Sequence, residues 1–216
     1  MRRITFISGL FDNIRDGVFS PKSGIEKEIE TTLKFNPHYR ELLTCYADSE
    51  DNAAIMQANN LSVHKIITDA PDSIIRDSRY KMKHWMMYQA VKEFGDVVWI
   101  DWDTYNKRLV DHRFVDYCLA TNTPKFTFIK GGYWAVVNCA VYYANRSHLQ
   151  LFEKSFSSKV SEPNDELMWA SVLPKDIVGR KEYWFGDMVV NIWDRIDFKD
   201  VTDNTYFLHL KDFGLL

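Results

Sequence analysis

Short runs of β-branched and aromatic residues alternate with stretches of helical period through the first hundred residues of the chain. Strand-like runs fall at Arg3–Ser8 (RITFIS), Leu42–Ala47 (LLTCYA), Val63–Thr68 (VHKIIT) and Val97–Asp101, and further on at Lys125–Ile129 (KFTFI) and Ala135–Tyr143 (AVVNCAVYY). Helical patterns lie between the first four, at Gly24–Leu33, Ser49–Asn59 and Asp72–Phe94. Strands that alternate with helices make βαβ units, so the pattern predicts an α/β domain with a mostly parallel central sheet flanked by helices. After Asp103 the alternation stops. Hairpin-like strands, Gly131-Gly132 and two short helices, Ser147–Phe156 and Asn164–Val172, make up the rest. The expected organisation is one domain over residues 1–216, with a nucleotide-binding half (1–103) and an acceptor or sugar half (104–216). Gly9–Ser23 reads as a long loop at the end of the first strand, where ligands of open α/β sheets bind.

The helix before the fourth strand carries an apolar stripe of Ile75, Met82, Met86, Ala90 and Phe94, with Arg79 inside the stripe and Lys83 at its edge. A tight turn joins this helix to the strand, so the two run antiparallel. Arg76, Arg79 and Lys83 are thereby expected beside the strand's C-terminal end. That end reads DVVWIDWDT: a buried-type run stops on Asp101 and Asp103, with Trp102 between them. In an extended segment residues i and i+2 share a side, so both carboxylates can face one cation while Trp102 points away. D-x-D also arises by chance, and the motif needs support from its surroundings. Carboxylates for a divalent ion, with basic side chains nearby, are what a diphosphate ligand requires. No Gly-rich Walker loop is present to cradle phosphate through the backbone.

Composition narrows the field. With 46% hydrophobic residues, 216 residues can bury a sizeable core. A formal charge of −3 supplies no global basic field for nucleic acid or anionic membranes. Cys45, Cys118 and Cys139 lack C-x-x-C spacing, which fits reduced thiols in the cytoplasm and excludes a zinc knuckle. No run reaches the length of a membrane span.

The order of these pieces resembles the GT-A fold of nucleotide-sugar glycosyltransferases, particularly the retaining, metal-dependent enzymes of the glycogenin and bacterial galactosyltransferase type. The matching pieces are ITFISG, the basic helix, VVWIDWDT as D-x-D signature, VNCAVYYANRS as the N-(A/S)-G-V strand, NDELMWA as an acidic helix start, and FLHLKDFG. The resemblance implies sugar transfer from a nucleotide-diphosphate sugar, UDP-linked, to a hydroxyl acceptor with retention. It also implies Mn²⁺ or Mg²⁺ held by Asp101, Asp103 and His209, with the diphosphate completing the shell. Ser8, Gly9, Asp12, Arg79, Lys83, Asp101, Trp102 and Lys211 become donor-binding candidates, and Asn138, Asp165 and Glu166 catalytic ones. Asp165 could equally be an ordinary helix N-cap. The family's central-strand Gly is Cys139 or Ala140 here, and the terminal His-x-x-Gly-x-x-Lys becomes His209-Leu210-Lys211-Asp212-Phe213-Gly214, which changes the setting of Lys211.

Other classes compete. A metal-dependent nuclease or phosphotransferase would leave DWD unexplained, a sugar nucleotidyltransferase needs a Gly-rich basic loop that GLFDNIRD does not provide, and a non-catalytic nucleotide-sugar binder fits the same residues. The chain stops soon after His209 without a membrane-docking extension, so a soluble acceptor is expected. A hydroxylated base in DNA is one such acceptor, with Lys107, Arg108, His112 and Arg113 as a local phosphate-binding edge.

Overall fold

The computed structural model describes residues 3–11, 13–15, 18–20, 24–71, 74, 79–128, 137–157, 165–192 and 201–210, of which 13–15, 18–20, 79–80 and 191–192 are described by backbone alone. The elements begin with β1 (Thr5–Leu10), a small antiparallel pair β2 (Asn13–Arg15) and β3 (Val18–Ser20), α1 (Ile25–Phe35), the single turn α2 (Tyr39–Leu42), β4 (Leu43–Ala47), α3 (Glu50–Ala58) and β5 (Val63–Ile66). They continue with α4 (Arg79–Phe94), β6 (Val97–Ile100), β7 (Thr104–Asn106), α5 (His112–Leu119), β8 (Lys125–Phe128), β9 (Val137–Ala144), α6 (Leu149–Phe156), α7 (Asp165–Ala170), β10 (Val189–Ile192) and β11 (Phe207–Leu210).

Six strands form the central sheet in the order β5-β4-β1-β6-β9-β8. The first four are parallel, and β9 pairs antiparallel with both β6 and β8. A second sheet has the order β10-β11-β7. The α/β architecture with a mostly parallel sheet is therefore as the sequence pattern predicts. The stretch expected to be one long loop after β1 instead contains the β2–β3 pair. α2, β7, β10 and β11 have no clear signal in the pattern, because a three- or four-residue element spans too little sequence to show a period, and the eight-residue α5 is not among the expected helices either.

Period-two alternation sorts the sheet residues into two cores. Ile7, Tyr46, Val97 and Trp99 face one side, where Met82, Met86, Met87, Ala90 and Val91 of α4 cover them with Phe152 and Trp169. Phe6, Cys45, Val98 and Ile100 face the other, under Ile25, Ile29 and Leu33 of α1 and Phe114 of α5. Burial on both faces explains why the strands read as continuous apolar runs. The caps are local: Ser49 accepts from Asn52 N–H at 3.2 Å to start α3, and Asp111 accepts from Arg113 N–H at 2.9 Å to start α5.

Gly9 of β1 lets α4 approach the sheet closely. A Cβ there would lie 2.7 Å from Met86 Sδ and 2.9 Å from Trp99 Cη2. Both neighbours are buried, so neither can swing away. Gly9→Ala is expected to destabilise the fold by about 1–3 kcal/mol through overpacking. The check is a lower denaturant midpoint at unchanged slope; an unchanged midpoint would mean that α4 yields freely.

Candidate active site

The helix-to-strand geometry brings Lys83 of α4 to the C-terminal end of β6, as the antiparallel arrangement requires. Its ammonium is buried and meets three residues: both Asp101 carboxylate oxygens at 2.9 Å, Asp165 Oδ2 at 2.7 Å and the Cys139 carbonyl at 2.9 Å. The group is thus a tie between α4, the β6 end, β9 and α7 rather than a cation reaching into open space. Burial alone would depress Lys83, but Asp101 and then Asp165 outweigh it and hold it above the ordinary lysine value. Burial likewise opposes ionisation of Asp165, yet Lys83 overrides it and keeps this carboxyl below its usual range. Asp101 goes the other way: burial raises it, Lys83 opposes, and Asp103 and Asp165 add to the rise. Behind Lys83, burial pushes the His84 imidazole down to about 3, so it stays neutral. Two carboxylates, Asp101 and Asp165, thus share one ammonium, with Asp103 near enough to add to the rise of Asp101.

The chain turns after Ile100 instead of continuing extended. Asp101 N–H donates to Ala140 C=O at 2.8 Å, and Thr104 N–H closes back on Asp101 C=O at 3.2 Å. This turn separates the two acids. Asp101 faces Lys83 and accepts from Trp99 Nε1 at 2.6 Å, whereas Asp103 Oδ2 lies 3.2 Å from His209 Nε2. Trp102 enters the other core, and its Nε1 donates to Gly9 C=O at 3.1 Å. Its own carbonyl accepts from the Thr32 hydroxyl, so α1 and β1 both grip the turn.

His209 arrives through the second sheet, where β11 pairs antiparallel with β7 and Leu210 N–H donates to Asp103 C=O at 3.1 Å. A clasp sets this register. Lys107 and Arg108 N–H both donate to Tyr206 C=O, Arg108 stacks 4.9 Å over the Tyr206 ring, and Tyr206 OH donates to Asp111 at 2.6 Å. Lys107 Nζ donates to Thr202 C=O at 2.7 Å, and Arg108 pairs with Asp111 at 2.7 Å. Of the four basic residues expected to edge a nucleic acid, Lys107 and Arg108 thus hold the C-terminal strand, while His112 and Arg113 lie exposed at the start of α5.

Of the candidates, the structure gathers Lys83, Asp101, Asp103, Asp165 and His209 at one sheet end, with Asn138 and Glu166 adjoining through a 2.9 Å hydrogen bond. Ser8 is buried and donates to Ile100 C=O at 2.7 Å, and Gly9 packs against α4; both serve the local packing here. Arg79 opens α4, but its side chain lies outside the described residues, as do Asp12, Arg76, Gly131, Gly132 and Lys211. Among the described residues no three His, Cys, Asp or Glu side chains converge as a metal site. The reason is that Asp101 turns to Lys83 and Trp99. What remains is an oxygen and an imidazole nitrogen side by side, a donor pair that Mn²⁺ accepts and that a diphosphate could complete. Sequence reasoning missed Trp99, although the rule that pairs Asp101 with Asp103 also puts Trp99 on the same side.

No protein-family model matches the sequence, and no curated protein matches it. Solved structures do share the fold. A glycosyltransferase involved in the glycosylation of the major capsid of PBCV-1 aligns at TM-score 0.55 and 14% identity, over 95% of this chain and 92% of that one. Mouse xyloside xylosyltransferase 1 in its apo form aligns at TM-score 0.57 and 10% identity, over 97% and 98%. The fold is that of GT-A-like glycosyltransferases. No helix among the described residues is long and apolar enough to cross a membrane.

Lys83→Met leaves two carboxylates without their cation and is expected to cost about 3–5 kcal/mol near neutral pH. In the variant both acids titrate above their unfolded value, so the deficit is full at high pH. It shrinks as pH falls toward the ordinary carboxylate value of 3.8 and the acids protonate. Urea denaturation of both proteins across that range is the check, and a deficit independent of pH counts against the charge assignment.

Proposed function

We propose that this chain is a metal-dependent glycosyltransferase that moves a sugar from a nucleotide-diphosphate donor, UDP-linked, to a soluble hydroxyl acceptor with retention. The observation that carries the reading is the Asp103–His209 pair at the end of β6, set beside an acid-rich cluster on a fold shared with glycosyltransferases. Asp103 and His209 would hold Mn²⁺ or Mg²⁺, which stabilises negative charge on the departing diphosphate. Burial, with Asp103 and Asp165 nearby, makes Asp101 reluctant to ionise even though Lys83 and Trp99 orient it, and a cation bound there would relieve that strain. The turn at Trp102 fixes both acids to β1 and α1, so the cluster is preorganised. Lys107 and Arg108 are committed to the clasp, which favours a small or protein hydroxyl acceptor over DNA.

UDP is expected to raise the melting temperature only when Mn²⁺ or Mg²⁺ is present, by about 2.7 kcal/mol of added stability at a hundred times its Kd. Asp103→Asn should abolish that coupling and leave the ligand-free melting temperature nearly unchanged. An equal shift in metal-free buffer sinks the metal assignment. A panel of UDP-, GDP- and CDP-sugars assayed for Mn²⁺-dependent nucleotide release then identifies the donor, and binding without release under any acceptor points to a non-catalytic sugar-nucleotide binder.

The second expected outcome is stereochemical. Proton NMR of the first-formed product should show the anomeric configuration of the donor; an inverted product instead makes a side-chain carboxylate the acceptor's base.

A further inference from the structure

β9 is irregular where it passes the cluster. Its ladder to β8 shifts register, so that Lys125 faces Tyr143 while Thr127 faces Asn138. Such a bulge takes backbone groups off the ladder. The Ala140 N–H is instead taken by the Asn138 side-chain oxygen at 3.1 Å. That bond orients the amide: with Oδ1 occupied by an N–H, the NH₂ is the group that faces Glu166, whose Oε1 accepts it at 2.9 Å. An NH₂ can only donate, so it favours the carboxylate form of Glu166 over the acid. Asn138 is itself buried, so the amide end of this bond is held rigidly while the Glu166 end is half-buried.

The neighbouring acid is differently placed. Asp165 opens α7 with its carboxylate against the Lys83 ammonium, whereas Glu166, one residue on, is half-buried and held by an amide. Both belong to one cluster, since Cys139 feels the charges of Asp165, Lys83, Glu166 and Asp101. We propose that Asn138 is a positioning residue that holds the Glu166 carboxylate in one orientation within the candidate site, while Asp165, committed to Lys83, fixes the frame. This rests on the glycosyltransferase reading. On that reading, a carboxylate fixed in the site would stabilise the positive charge that develops as the sugar leaves its diphosphate.

A double-mutant cycle on nucleotide-sugar turnover tests it. Asn138→Ala should lower kcat about ten- to a hundredfold through misplacement of Glu166, with KM for the donor within about twofold. Glu166→Gln keeps an oxygen for the amide and so preserves the local fold. In that background Asn138→Ala should cost less than about twofold, because the group it positions is already gone. Equal losses in both backgrounds overturn the proposal. Asn138→Ser, whose hydroxyl can still take the Ala140 N–H but which lacks the amide for Glu166, should lose as much as Asn138→Ala; recovery in Asn138→Ser assigns the loss to the bulge and overturns the proposal. A carbon-13 NMR titration of Glu166 gives a readout that needs no turnover: its midpoint should rise in Asn138→Ala, and an unmoved midpoint overturns the proposal. A wild-type chain that turns over no sugar nucleotide, yet shows the NMR shift, sinks the glycosyltransferase reading and leaves the positioning intact.

Discussion

An ammonium group can be buried only where acceptors replace the water it loses, and Lys83 meets that condition with Asp101, Asp165 and the Cys139 carbonyl. Those acceptors belong to three separate pieces of chain, and Lys83 itself supplies a fourth. The contact therefore decides how α4 and α7 sit against the ends of β6 and β9. Geometry elsewhere follows from it. Once Asp101 is turned toward Lys83, the chain has to bend, and the bend sends Asp103 toward β11 and Trp102 into the opposite core.

The same contact explains why neighbouring acids differ in character. Asp165 carries its charge comfortably beside Lys83, while Asp101, more crowded by other acids, is reluctant to ionise. Environments that pull like groups apart are a frequent mark of chemistry. His84, directly behind Lys83, adds no charge; it packs against Trp169 and Phe152 and acts as part of the apolar floor.

The sheet and the end at which the acids gather were legible in the sequence because they rest on long signals: alternating strands and helices, and a sixteen-residue helix whose direction is fixed by a short turn. Lys83 could be placed near Asp101 for that reason. What it does there could not be read, since burial of a lysine depends on partners from β9 and α7 that local sequence does not announce. The divergence of Asp101 and Asp103 was hidden too, because the i, i+2 rule holds for extended chain and the chain turns at that point. His209 had only its place in the motif order to recommend it. The clasp of Lys107 and Arg108 with Tyr206 joins segments far apart in sequence, and charge patterning alone made those residues look like a nucleic-acid edge.

That clasp also sets the order in which the molecule can come apart. Asn106, next to Lys107, also donates through its amide to Tyr206 C=O at 3.0 Å across 100 residues of chain, and the second sheet has three strands among the described residues. Closing so long a span is entropically late, and the last piece to dock is among the first to open. A brief release of β11 would carry His209 away from Asp103 while the six-stranded sheet and the buried Lys83 tie stayed intact. Amide exchange in β11 and β7 would then report on the competence of the site, and exchange in β1 and β6 on the survival of the fold.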